Sequence, residues 1–134
     1  MRAVLDTNIL ISGIFWSGSP YKVLEAWMDD KFELIVSEET LIEYSRVLKE
    51  FEKKGKGSTE VANTWILFIA QNSKLVQAVN KVKICRDPFD DMFLSLAVSG
   101  GAKYIVSGDK DLLDMKEYMN VEILTATKFL KELS

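Results

Sequence analysis

Arg2-Ala3-Val4-Leu5-Asp6-Thr7-Asn8 sets an apolar run directly before a carboxylate, a hydroxyl and an amide. The apolar part is too short for a helix and reads as a buried strand over residues 2–5. A helix over residues 8–15 follows, closed by the turn residues Ser17-Gly18-Ser19-Pro20. Asp6 thus stands at a strand-to-helix turn. A carboxylate there either caps the helix or faces a ligand site beyond the strand.

The same alternation continues outward. Pro20 suits the first position of a second helix running to about residue 30, with Val23, Leu24 and Trp27 on one stripe. Residues 32–36 read as a strand. Ser37 then reads as an N-cap, with Glu38 and Glu39 favourable in the first turn of a helix over 38–52. That helix ends in the basic, glycine-broken Lys53-Lys54-Gly55-Lys56-Gly57. Ser58 is expected to cap a helix to about residue 72, followed by a strand over 74–79. Residues 82–85 alternate apolar and polar, as if continuing it toward the site. Asp87-Pro88 is an N-cap followed by proline at the first helical position, and Gly100-Gly101 ends that helix. A strand over 104–107, a helical turn at Gly108-Asp109-Lys110-Asp111, a strand over 121–124 and a helix capped by Thr125 complete the chain. Strands alternating with helices predict a three-layer α/β/α domain over residues 1–134, with a mostly parallel sheet of about five strands.

Composition narrows the chemistry. The 134 residues include no histidine, so histidine-based serine triads, histidine ribonuclease chemistry and imidazole metal ligands are excluded. A single cysteine, Cys85, excludes an internal disulfide and a Cys-rich zinc site, and fits a reducing compartment. The first apolar run is interrupted by Asp6 and Asn8, and residues 65–70 fall short of the ~20 that a membrane span needs. A cytoplasmic location with no membrane partner is expected. The net charge of −3 counts mildly against nucleic acid, which usually leaves a basic footprint.

Acid–base work then falls to carboxylates, lysines or a metal-activated water. Asp6, Glu43, Asp90 or Asp91, and Asp109 with Asp111 each follow a different strand, so four transitions bring carboxylates toward one edge. Two carboxylates ~4 Å apart repel by roughly 4 kcal/mol at an effective dielectric of about 20. Raised pKa values or a hard cation relieve this, and oxygen-only donors select Mg²⁺ or Mn²⁺ over zinc. Taken singly, each residue also has a structural reading: a cap for Asp6, a solvated helix residue for Glu43, turn residues for Asp109 and Asp111.

Four segments together resemble the PIN-domain family, in family order and over essentially the whole chain. They are Val4-Leu5-Asp6-Thr7-Asn8, the helix glutamate Glu43, Asp87-Pro88-Phe89-Asp90-Asp91-Met92-Phe93-Leu94-Ser95-Leu96-Ala97, and Val106-Ser107-Gly108-Asp109-Lys110-Asp111-Leu112. The resemblance implies an Mg²⁺- or Mn²⁺-dependent endoribonuclease. Small single-domain members are mostly VapC-like toxins of type II toxin–antitoxin systems, held inactive by an antitoxin. Carried over by position, Asp6, Glu43, Asp91 and Asp109 form the acidic quartet, with Asp6, Asp91 and Asp109 as metal ligands. Family spacing favours Asp91 over Asp90. Thr7, Asn8, Asp90, Ser107 and Asp111 support them.

Lys110, Lys53 and Lys54 are candidate RNA-phosphate contacts, set against a reading as surface lysines. Trp16, Trp65 and Phe68 are candidates for base stacking. Trp65-Ile66-Leu67-Phe68-Ile69 serves either as core or as a homodimer face, and the family resemblance, whose members often dimerise, implies a homodimer. Two other classes compete: a non-catalytic RNA- or protein-binding module on the same fold, and another metal-dependent phosphoryl-transfer enzyme. The latter wants Asp-x-Asp after the first strand, where this chain has Asp6-Thr7-Asn8.

Overall fold

The computed structural model describes residues 1–55 and 59–134. Ser58, expected as a helix cap, lies outside the described residues with Lys56 and Gly57. The elements in chain order are β1 (Arg2–Leu5), α1 (Thr7–Phe15), α2 (Ser19–Met28), β2 (Glu33–Val36), α3 (Glu38–Lys53), α4 (Thr59–Asn72) and β3 (Lys74–Leu75). They continue as α5 (Pro88–Gly100), β4 (Tyr104–Val106), α6 (Lys110–Met115), β5 (Glu117–Tyr118), β6 (Val121–Leu124) and α7 (Ala126–Leu133).

The sheet has six strands in the order β3-β2-β1-β4-β6-β5, parallel except for the antiparallel β5–β6 pair. From β1 the chain builds outward on one side through β2 and β3, then returns to the other side of β1 with β4. The strand order therefore reverses between β1 and β4, where an open α/β sheet forms a crevice beyond its carboxyl edge. Leu5 pairs with Val106 at that edge, and the Asp6 amide donates to the Val106 carbonyl at 3.0 Å.

Val4, Leu5, Leu34, Ile35, Ile105 and Val106 are essentially inaccessible to solvent, as expected for strands covered on both faces. The layers are the sheet, α5 packed across β1, β2 and β4, and α7 packed on β4, β6 and α2. At Gly100 a Cβ would stand 2.5 Å from the terminal methyl of Ile35, so a larger residue at the end of α5 would require that side chain to shift. Gly101 then ends the helix in the left-handed conformation, at φ 65°.

Two expectations change. The strand expected over 74–79 is confined to Lys74–Leu75, with one further bond from the Val76 amide to the Val36 carbonyl (2.8 Å). Residues 82–85 join no strand. This segment runs antiparallel to α5, whose side chains take its amides: Asn80 donates to Ser99 Oγ (3.0 Å), Val82 to Ser95 Oγ (2.9 Å), and Ile84 and Cys85 to Asp91 Oδ1 (3.0 and 2.9 Å). Helix hydroxyls and a carboxylate replace a strand partner. The unanticipated β5 exists because Met119 and Asn120, both at positive φ, make a tight hairpin onto β6.

Candidate active site

Asp6 is placed by β1 and held by its neighbours. It caps α1, with Oδ1 accepting from the Ile9 amide at 2.9 Å, and Oδ2 accepts a short hydrogen bond from Ser107 Oγ. Burial pushes its pKa up, against the bonds from Ser107 and Ile9 that lower it, and the charge of Asp109 adds to the rise. Ser107, fully buried at the end of β4, also accepts from the Asp109 amide (2.9 Å). One hydroxyl thus ties together the carboxyl ends of the two central strands. Asp109 caps α6 through Leu112, at 3.2 Å.

Glu43 comes from α3, whose start is set by a reciprocal cap between Ser37 and Thr40 (2.9 and 3.1 Å). Next to it, the Tyr44 hydroxyl donates to the Leu5 carbonyl at 2.6 Å, pinning α3 to the end of β1. Burial, then the charge of Asp6, holds that phenol well above its ordinary pKa, so it acts as a neutral donor. Glu43 is only 7% exposed and is gripped by Arg46 at 2.7 and 3.2 Å. Arg46 also reaches Glu50 at 2.5 Å, and its guanidinium lies 5.6 Å from the centre of the Phe89 ring.

Asp6, Thr7, Asn8, Glu43, Asp90 and Asp109 line one cleft of about 300 Å³, with Arg46, Phe89 and Asp87 at its walls. Of the expected quartet the cleft contains Asp6, Glu43 and Asp109, but not Asp91. Asp91 turns to the 80–85 segment, where burial raises its pKa and the Cys85 and Ile84 amides outweigh that, leaving it below the usual value. Asp90 faces the cleft in its place. Burial, then the charge of Asp109 and a hydrogen bond with it, pushes Asp90 up to about 7. The deciding signal is helical phase. Asp90 shares a stripe with the buried Phe93, Leu94 and Ala97, whereas Asp91 shares one with Ser95 and Ser99. Asp87 is an N-cap, accepting from Phe89 at 2.9 Å.

The tightest carboxylate group among the described residues also differs from the expected Asp6, Asp91 and Asp109. One oxygen from each of Asp90, Asp109 and Asp111 lies within 4.8 Å of the others. Asp111 is also paired with Arg86 at 2.7 Å. A hard divalent cation fits this donor set, which is all oxygen. Thr7 adds a separate indication: it is 8% exposed, lines the cleft, and its buried Oγ1 has no hydrogen-bond partner among the described residues. A cation, or a ligand carried by one, would satisfy that oxygen.

The lysines lie elsewhere. Lys110 is exposed and paired with Asp114 at 2.6 Å, and Lys53 and Lys54 end α3 without lining the cleft. Arg46, not anticipated from the sequence, is the cation that does line it. Its spacing of three from Glu43 on one helix face was the available signal. Of the proposed stacking residues, Trp65 and Phe68 pack against the core, and Trp16 packs edge-on against Phe15 and Phe51. In the 65–69 run only Leu67 is well exposed, at 58%.

The family model described as PIN domain matches residues 2–111, a span containing every cleft residue named above. This chain belongs to the PIN-domain family. No curated protein matches it. Among solved structures, the PIN chain resembles PAE2754 from Pyrobaculum aerophilum, with a TM-score of 0.70 and 15% identity over 99% of this chain and 89% of that one. It also resembles VapBC2 from Rickettsia felis, a structure bound to a DNA fragment from their promoter. There the TM-score is 0.62 and the identity 18%, over 92% of this chain and 97% of that one. At these identities the likeness is one of fold.

Proposed function

We propose that this PIN domain is an Mg²⁺- or Mn²⁺-dependent endoribonuclease, with Asp6, Glu43, Asp90 and Asp109 as its acidic residues. The observation that carries the reading is the meeting of these four carboxylates at the β1/β4 switch point of a chain without histidine. Asp90, Asp109 and Asp111 would hold the cation, which when bound would supply Lewis acidity toward phosphate oxygens and lower the pKa of a water so that hydroxide is available as the nucleophile.

The chain's own groups do the rest. Ser107 keeps Asp6 facing the cleft and so fixes where its charge acts. Arg46 holds the Glu43 carboxylate in one orientation, suited to accepting a proton from an attacking water. The Thr7 hydroxyl, without a hydrogen-bond partner among the described residues, would donate to a bound phosphate oxygen that reaches it. Burial of Asp90 and the charge of Asp109 push the Asp90 carboxyl up to about 7, and a bound cation would favour its charged form.

We also assign the chain the toxin role in a toxin–antitoxin pair, acting in the cytoplasm and held by a cognate antitoxin. The VapC-like motifs support this, as does the match to VapBC2 over nearly the full length of both chains. Cleavage of mixed RNA with Mn²⁺, with Mg²⁺ and with EDTA tests the chemistry. Wild type should cut only with a cation, and Asp6→Asn should cut more than about 100-fold more slowly, beyond the loss usual for an outer-shell partner. Undiminished cutting by Asp6→Asn, or cutting in EDTA, would contradict the assignment.

A further inference from the structure

Phe89 belongs to two cavities at once. It walls the acidic cleft, and it also walls an adjoining groove of about 570 Å³ with Val82, Pro88 and Met92. Phe89 is 47% exposed although it sits in the first turn of α5, beside Asp90. Arg46 covers it from the cleft side, at 5.6 Å from the ring centre. Across the groove stand Lys81 and Lys83, both exposed. Lys81 makes only a loose 3.7 Å pair with Glu39, and Lys83 has no ion pair among the described residues. The groove's other carboxylate, Asp91, is engaged with the Ile84 and Cys85 amides.

We infer that this groove is a nucleotide subsite: a base of single-stranded RNA stacks on Phe89, and Lys81 and Lys83 take the adjoining phosphate. An aromatic wall with flanking cations is the chemistry that binds single strands without reading sequence. The position suits a nucleotide next to the scissile bond, since one ring separates the groove from the carboxylates. RNA as the occupant rests on the nuclease reading. Charge complementarity favours RNA over an apolar peptide here, because Asp91 is engaged by amides and Glu39 by Lys81, which leaves Lys83 as the groove's charge without an ion pair among the described residues.

The test is binding of a fluorescent single-stranded oligoribonucleotide to the intact chain, with Ca²⁺ standing in for Mg²⁺ to limit turnover. Phe89→Ala and Phe89→Leu should each weaken binding about 5- to 150-fold, the range for loss of one base–aromatic stack, and Phe89→Trp should restore it. Lys83→Ala should flatten the dependence of log K on log salt by about 0.7. Leucine keeps apolar bulk without a π face, so its effect separates stacking from packing. Wild-type binding by both Phe89→Ala and Phe89→Leu would overturn the subsite even if the chain cleaves RNA, and would leave the groove to a peptide. Phe89-dependent binding by a chain that cuts nothing would support the subsite while removing the nuclease reading.

Discussion

At Thr7 a hydroxyl lies buried beside the cleft with no hydrogen-bond partner among the described residues, and such a group costs about 1–3 kcal/mol when left unpaired. Thr7→Val should therefore leave stability in EDTA unchanged or raise it by up to about 1 kcal/mol, while shrinking the stabilisation that Mn²⁺ confers. Urea denaturation with and without Mn²⁺ measures both, and a marked loss of stability in EDTA would show that the hydroxyl has a structural partner. Asp90 gives a pH signature. Its folded pKa of about 7 lies above the ordinary 3.8, so its protonated form stabilises the cation-free fold fully below about 4, and that contribution is lost as pH rises through 7. Cation-free unfolding free energy should fall over this window, and Asp90→Asn should remove most of the fall. The adjacent Asp91 behaves in the opposite sense, because backbone amides favour its charged form. Choosing between the two from sequence needs the helical phase rather than the motif spacing. The phase was legible in Phe93, Leu94 and Ala97, once they are read as one stripe with Asp90.

Helix α5 serves two masters on two faces. One face carries Asp90 to the cleft; the other carries Asp91, Ser95 and Ser99, four residues apart, to the amides of residues 80–85. Asp91→Ala should cost about 1–3 kcal/mol in urea denaturation by leaving amides unpaired, with cleavage per folded molecule retained. A stability loss below a few tenths of a kcal/mol would mean that those amides find water instead. This arrangement also explains which elements could be read in advance. Residues 2–5 and 104–107 are short, mostly apolar runs, and 121–124 alternates buried Val121 and Ile123 with exposed Glu122; all three appear as strands within a residue or so. Residues 74–79 and 82–85 carry a similar pattern, but only the start of the first run pairs with a strand, and the amides of Val82, Ile84 and Cys85 are answered by helix side chains. Local sequence does not state who the partner is.

For the whole molecule, the parallel sheet and its flanking helices followed from alternation alone, and the reversal of strand order between β1 and β4 puts the cleft where the first and fourth motifs meet. The antiparallel β5 was not legible, because a Met-Asn turn carries little hairpin signal. The molecule's field is that of a chain with net charge −3 and its densest carboxylates in the proposed RNA site. RNA association should consequently need a divalent cation, unlike that of a basic RNA-binding protein. Fluorescence polarisation at constant ionic strength should show binding with Ca²⁺ and little in EDTA, and equal binding in both would locate RNA away from the carboxylates. The central claim is that Asp90, and not its neighbour Asp91, belongs to a cation-dependent RNA-cutting centre. The direct measurement is the Mn²⁺-dependent cleavage rate of Asp90→Asn beside that of Asp91→Asn, which keeps the Oδ1 acceptor that the 84–85 amides use. Asp90→Asn should lose more than about 100-fold while Asp91→Asn cuts at near the wild-type rate; the reverse order, or full activity in Asp90→Asn, would exclude Asp90 from the centre.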